Sequence, residues 1–262
     1  MSRRWASGLA VLTALALLAM LANAALGERS QRGNLVVSLD GELAPLHLPR
    51  DRPAPIAVHL TGGLATADGA ALPRVAEIQL GLPAQGVVDT RGLPTCGLRR
   101  LRDASRARAR SLCGAALVGH GELRAEVHLP NQAPFQLDGA LLAFNGRDRA
   151  GRRAVLVHTV AARPPAVIVL PFVFTEGEGR FGTFLEADLP RDLGPLPRVS
   201  SFDLTLSRRF SSHGMRRSFL SASCPLPPSL TAGFFSFARV RFTLADGSQV
   251  GTGIARSCRA RG

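Results

Sequence analysis

From residue 122 to residue 129 the chain alternates with period two: Leu123, Ala125, Val127 and Leu129 are apolar, and Glu122, Arg124, Glu126 and His128 are polar. That period puts one set on a buried sheet face and the other in water, so it predicts a half-buried strand. The pattern recurs downstream. Phe202, Leu204, Leu206 and Phe210 share a face opposite Ser201, Asp203, Thr205, Ser207 and Arg209, with Arg208 interrupting the apolar series. Phe234, Ala238, Val240, Phe242 and Leu244 share another, before Asp246-Gly247 turns the chain. Residues 139–144, 154–160 and 167–174 are shorter apolar runs, with Asn145-Gly146 opening an arginine-rich hairpin tip between the first two. Phe181, Thr183, Leu185 and Ala187 alternate with Gly182, Phe184, Glu186 and Asp188, a strand with apolar contacts on both sides.

Upstream, residues 35–39 read as a strand ending at the turn signal Asp40-Gly41, and 56–60 and 75–80 as further extended runs. The prolines at 49, 53 and 55 lack donors and keep that stretch out of a central ladder. One helix is predicted from Asp103 or Ser105 to Leu117, with Ala109, Leu112 and Ala116 on one face, Cys113 beside them, arginines outward and Gly119 capping the end. The fold class is therefore mainly β: an antiparallel sandwich or barrel-like sheets with one packed α-helix. Four regions follow: a leader (1–24), an N-terminal β-rich region (25–95), a disulfide-tethered helix (96–121) and an antiparallel β region (122–262). One domain and two both fit this division.

Arg3 and Arg4 precede an almost unbroken apolar run, and Ala22-Asn23-Ala24 supplies the small-x-small site of a cleaved secretory signal. The run is short for a full span and no positive flank follows it at once, which argues against an uncleaved anchor. The expected destination is secretion or loose attachment to the cell envelope, with no transmembrane span in the mature chain. There, four cysteines, an even count, read as two disulfides. Of three pairings, Cys96–Cys113 and Cys224–Cys258 are favoured because each brackets one local unit, and bonded cysteines are not nucleophiles.

The formal charge is +13, or +11 once Arg3 and Arg4 leave with the signal, and every basic residue is arginine. Arg99, Arg100, Arg102, Arg106, Arg108 and Arg110 cluster around a single acid, Asp103, and form a candidate patch for an anionic envelope component. Nucleic acid is disfavoured: Tyr is absent, the one Trp is Trp5 in the leader, and the Phe residues sit in strand patterns, leaving no stacking platforms among the arginines.

Catalytic and cofactor motifs are missing: there is no G-x-S-x-G, H-E-x-x-H, glycine-rich phosphate loop or C-x-x-C, and no cofactor is expected. His128 and His158 are the one pair of histidines that strand pairing would bring face to face. Glu176, Glu178, Glu186 and Asp188 are the local carboxylate cluster that a hydrolase would need, should the two segments pair into a cleft.

Gly92-Leu93-Pro94-Thr95-Cys96, the segment 113–121 beginning Cys113-Gly114-Ala115, Phe144-Asn145-Gly146, Phe202-Asp203-Leu204-Thr205-Leu206 and Ser221-Ala222-Ser223-Cys224-Pro225 form a familiar set. In these segments the chain resembles uncharacterised exported proteins of high-GC Gram-positive bacteria. The resemblance implies export and host type and carries over no catalytic or binding residue. The leading expectation is a secreted non-enzymatic β-rich protein that binds an apolar or amphipathic ligand, such as a lipid, or an envelope component. Phe135, Phe172, Phe174, Phe181 and Phe184 would line an apolar pocket under that reading. They would fill the core of a structural or interaction module under the second, and a carboxylate-based extracellular hydrolase is the third. An apolar space of about 300 Å³ or more favours the first; a solid core opposes it.

Overall fold

Nearly every run of alternating polarity becomes a strand. The computed structural model describes residues 28–127, 134–162, 165–189 and 198–261. The expected leader, 1–24, and His128 lie outside them. In chain order the first strands are β1 (Glu28–Arg32), β2 (Leu35–Ala44), β3 (His47–Pro49), β4 (Ala54–Pro55), β5 (Ala57–Thr66), β6 (Val75–Pro83), β7 (Gly86–Val88) and β8 (Cys96–Gly97). After the helical segment come β9 (Leu117–Val127), β10 (Phe135–Arg147), β11 (Arg153–Ala162), β12 (Pro165–Glu176), β13 (Phe181–Asp188) and β14 (Arg198–Leu206). The last are β15 (Arg209–Ser212), β16 (Met215–Ser218), β17 (Leu220–Ala222), β18 (Ala232–Leu244) and β19 (Gln249–Arg261).

One long sheet has the order β1-β2-β5-β14-β9-β10-β11-β12-β13-β6-β18-β19-β3, with β8 attached to β10. The β3–β19 and β8–β10 pairs are parallel, which makes the sheet mixed. Strands from 25–95 are interleaved with later ones: β5 lies beside β14, and β6 between β13 and β18. The sheet curls until its two ends approach. Arg256 on β19 donates to the Gly41 carbonyl and the Asp40 carboxylate of β2, and Arg32 Nη1 on β1 donates to the Gln249 carbonyl at 2.8 Å. Side chains, not a backbone ladder, join the ends, so the architecture is a half-barrel.

The inner face carries the main core, including Val37 and Leu39 of β2, Leu60 and Leu64 of β5, and Val240 and Phe242 of β18. Each such side chain removed from water contributes about 1.5–3 kcal/mol. A small sheet, β4-β17-β7, lies across the end where β6 and β14 finish and sends Phe219, Leu220 and Val88 inward. On the outer face of β10, β11 and β12 sits the helical segment: α1 (Leu98–Leu101), α2 (Arg106–Cys113) and a 3₁₀ turn over Gly114–Ala116. Ser105 caps α2, its hydroxyl accepting from Arg108 N at 3.3 Å. Leu101, Ala109, Cys113 and Ala116 pack on Leu142, Phe144, Leu156 and Val173. The disulfides join Cys96 to Cys113 and Cys224 to Cys258.

Several local expectations change, each for a physical reason. Asp40-Gly41 is strand, not turn: a Cβ at Gly41 would lie 2.6 Å from Leu60 Cδ2 and 2.9 Å from the His59 carbonyl, so the glycine permits close packing. Gly119 is likewise a strand residue of β9, pressed on Thr205 and Leu206 of β14, and caps no helix. Asn145-Gly146 continues β10, and the buried Asn145 amide donates to the carbonyls of Leu93 at 3.2 Å and Pro94 at 2.9 Å. Leu112 is exposed, because Ala109, Cys113 and Ala116 already define the packed face. Phe234 is 83% exposed: a bulge between Ser236 and Ala238 shifts the register and flips the residues before it to the other face. Arg208 ends the strand it interrupts, and Phe210 belongs to the separate β15–β16 hairpin.

Asp89, just after β7, ties that hairpin to the small sheet. Arg217 Nη1 donates to it at 2.7 Å and Arg91 Nε at 3.1 Å. Burial pushes the carboxyl upward, but these bonds and the Arg91 backbone N–H outweigh it and lower the pKa to about 2. Asp89→Asn should cost about 1–2 kcal/mol at neutral pH. The folded carboxyl is depressed, so its contribution is complete above the unfolded value of about 3.9 and is lost as pH falls toward the folded one. Denaturation curves of the two proteins should converge across that window; a gap that persists unchanged removes Asp89 from this role.

Candidate functional site

The strands β11 and β12 are apolar on both faces, and this builds the interior. Along β11, Ala154, Leu156 and His158 face the helical segment, while Val155, Val157 and Thr159 face inward. Along β12, Val169 and Val173 face the helices, and Ile168, Leu170, Phe172 and Phe174 face inward. Leu80 on β6, Leu123 on β9, Leu141 on β10, Leu185 on β13 and Val240 on β18 complete the wall. Between them lies a cavity of about 150 Å³, and among the described residues Thr159 is its one lining side chain that is not hydrocarbon.

The lining runs from Val199 to Leu206 along β14, and at about 3.3 Å per residue that spans roughly 20 Å. So small a volume over that length is a slot, not a chamber. The small sheet closes one end with Phe219, Leu220 and Val88. At the other, Ile78, Leu189, Val199 and Phe242 belong both to the slot and to a recess of about 20 Å³ completed by Arg74, Val75 and Arg198. Neither arginine stands out in the sequence, since each is solitary there and only strand pairing brings them to one rim.

Of the five phenylalanines singled out, Phe172 and Phe174 line the slot. Phe135 packs instead with Val127, Leu137 and Ala161. Phe181 and Phe184 flank Arg239, whose guanidinium lies 5.1 Å and 5.3 Å from the two ring centroids. The six arginines of the helical segment are all exposed, and none makes an ion pair among the described residues.

The four carboxylates do not all converge: Glu186 and Asp188 line one recess of about 120 Å³ with Glu77, Asp148 and Arg152, and Glu176 and Glu178 lie outside it. Glu176 and Glu178 are exposed, Asp188 is exposed opposite Glu77, and Glu186 accepts from Gln79 Nε2 at 2.8 Å. His158 is fully buried; its Nε2 donates to the Ala104 carbonyl at 2.9 Å, and burial lowers its pKa despite that bond. Among the described residues no group of three or more His, Cys, Asp or Glu is placed to hold a metal ion, and no helix is long and apolar enough to cross a membrane. An open groove of about 780 Å³ between β1 and β9 mixes Asp40, Glu122 and Asp203 with Arg29 and Arg124, and Phe202 also lines it.

Comparison of the chain with protein-family models, with curated proteins and with solved structures gives no match.

Proposed function

We propose that the protein is an exported, non-enzymatic binding protein for an apolar or amphipathic molecule, with the half-barrel slot as its site. The observation that carries this reading is the slot: an elongated space bounded by hydrocarbon. Such a space stays dry, and an apolar cavity of about 150 Å³ is large enough to take benzene or xenon. The leader sequence and the two disulfides support export. The arginine-bearing helical segment, held rigid by Cys96–Cys113, gives such a protein a face for an anionic envelope component.

The volume also favours a second reading, a structural or interaction module with a filled core, because sites for drug-sized ligands begin at about 300 Å³. One variant separates the two. Val157 is only partly buried although it lies on the inner face, so the space beside it is unfilled. Val157→Phe should fill it, raising stability by about 1 kcal/mol and Tm by about 2–4 °C. The same variant should abolish saturable binding of methyl cis-parinarate, an uncharged single-chain fluorescent probe. A wild-type protein that binds no probe would favour the filled-core reading, and a variant that binds it equally well would place the probe outside the slot. Native mass spectrometry of protein recovered from its own host should show a retained small molecule in the wild type and none in the variant.

A further inference from the structure

We infer that the slot takes a single-chain amphiphile with an anionic head, the chain lying inside and the head held at the rim by Arg198 and Arg74. This rests on the binding reading above and adds the head-group chemistry and the orientation.

The shape sets the tail. A slot roughly 20 Å long with a volume of about 150 Å³ is no wider than one hydrocarbon chain, whose entry along the whole length must part the walls, and it excludes fused rings or two chains side by side. The wall sets where the head lies. Among the described residues the lining offers no polar side chain apart from Thr159, and an ion carried inward would lose its hydration without an ionic partner. The head must therefore stay at an end, and the two ends differ. One is closed by Phe219, Leu220 and Val88. At the other the hydrocarbon wall passes directly into the recess that holds Arg74 and Arg198, and no carboxylate among the described residues lines that recess.

Arg198 is half-buried and stands opposite Glu126 in register, yet its guanidinium makes no hydrogen bond or ion pair among the described residues. A guanidinium in that position is a positive charge beside an apolar entrance. Its planar fork matches the oxygens of a carboxylate or a phosphate, and Arg74, which has an interaction of its own, lies on the same rim.

The test compares cis-parinaric acid with its methyl ester, which share a chain and differ in charge. Wild-type protein should bind the acid roughly tenfold more tightly, the worth of one charge-assisted contact. Rising salt should erode that advantage without affecting the ester. Arg198→Gln combined with Arg74→Gln should bring the acid down to the ester's affinity and leave the ester unchanged, which also shows that the variant is folded. Displacement by palmitate or by palmitoyl lysophosphatidic acid then assigns the head as carboxylate or phosphate. Equal binding of acid and ester by the wild type overturns the head-group assignment while the slot remains a binding site. Failure of both probes overturns the slot itself.

Discussion

Replacing Cys224 and Cys258 together by alanine should cost about 4 kcal/mol, since the bridge closes a loop of 34 residues and chain entropy in the unfolded state grows with the logarithm of that length. The native-state loss points the same way. Cys224 N donates to the Pro49 carbonyl at 2.8 Å, and Cys258 lies on β19 beside β3, so the bridge fastens three segments at the sheet's last edge. Against a total of about 5–15 kcal/mol for a domain, such a loss leaves a marginal fold. The Cys96–Cys113 bridge closes 17 residues and anchors only the helical segment, so its removal should cost about 3 kcal/mol and loosen that segment first. Urea denaturation of the two double variants decides the order. If loss of Cys224–Cys258 proves the milder lesion, then β3 and β19 are held mainly by their own packing.

The alternation of β9 and β14 was legible in the sequence because each has one wet face and one dry face. Glu122 and Asp203, opposite each other in register, remain exposed while Leu123 and Phe202 turn inward. Where both faces are covered, as in β11 and β12, polarity gives no period, and the runs at 154–160 and 167–174 show only that they are buried. The order of strands was hidden for a different reason. Placing β5 beside β14 and β6 between β13 and β18 depends on contacts far apart in the chain, about which local pattern is silent. Glycine misled in a consistent way. At Asp40-Gly41 and Asn145-Gly146 it suggests a turn, yet both glycines serve strands packed too closely for a Cβ. Nothing local separates these two uses.

The site was less legible than the fold. The disulfide pairing follows from each pair bracketing one local unit, and the helix from its capping serine. The slot needs the curl of the whole sheet, which explains why only Phe172 and Phe174 of the five phenylalanines reach it. Phe181 and Phe184 lie on the same wall element as Leu185 but are drawn to Arg239, an attraction that composition does not reveal. The rim arginines come from residues 74 and 198. Their meeting is a property of the sheet order alone.

Leu141→Asp should be the most damaging single substitution, because it places a carboxylate on the wall of a space in which no cation among the described residues can pair with it. Leu141 is 3% exposed and sits in register between Gly121 and Thr159. Losing its hydrocarbon costs about 2–3 kcal/mol, and burying an unpaired charge adds several more, so the variant should be largely unfolded above neutral pH. The group's escape is to stay protonated, which raises its folded pKa above the ordinary value of about 4. Between those two values the folded form binds more protons than the unfolded one. Stability therefore recovers as pH falls through the raised pKa, by about 1.4 kcal/mol per unit, and is lost as pH rises. Leu141→Asn supplies the control, with the same shape, no charge and a smaller loss independent of pH. Circular dichroism of both variants from acid to mildly alkaline pH reads the difference. If Leu141→Asp follows Leu141→Asn at every pH, water reaches Leu141, the wall is wet, and the slot is not the dry hydrocarbon channel on which a single-chain ligand depends.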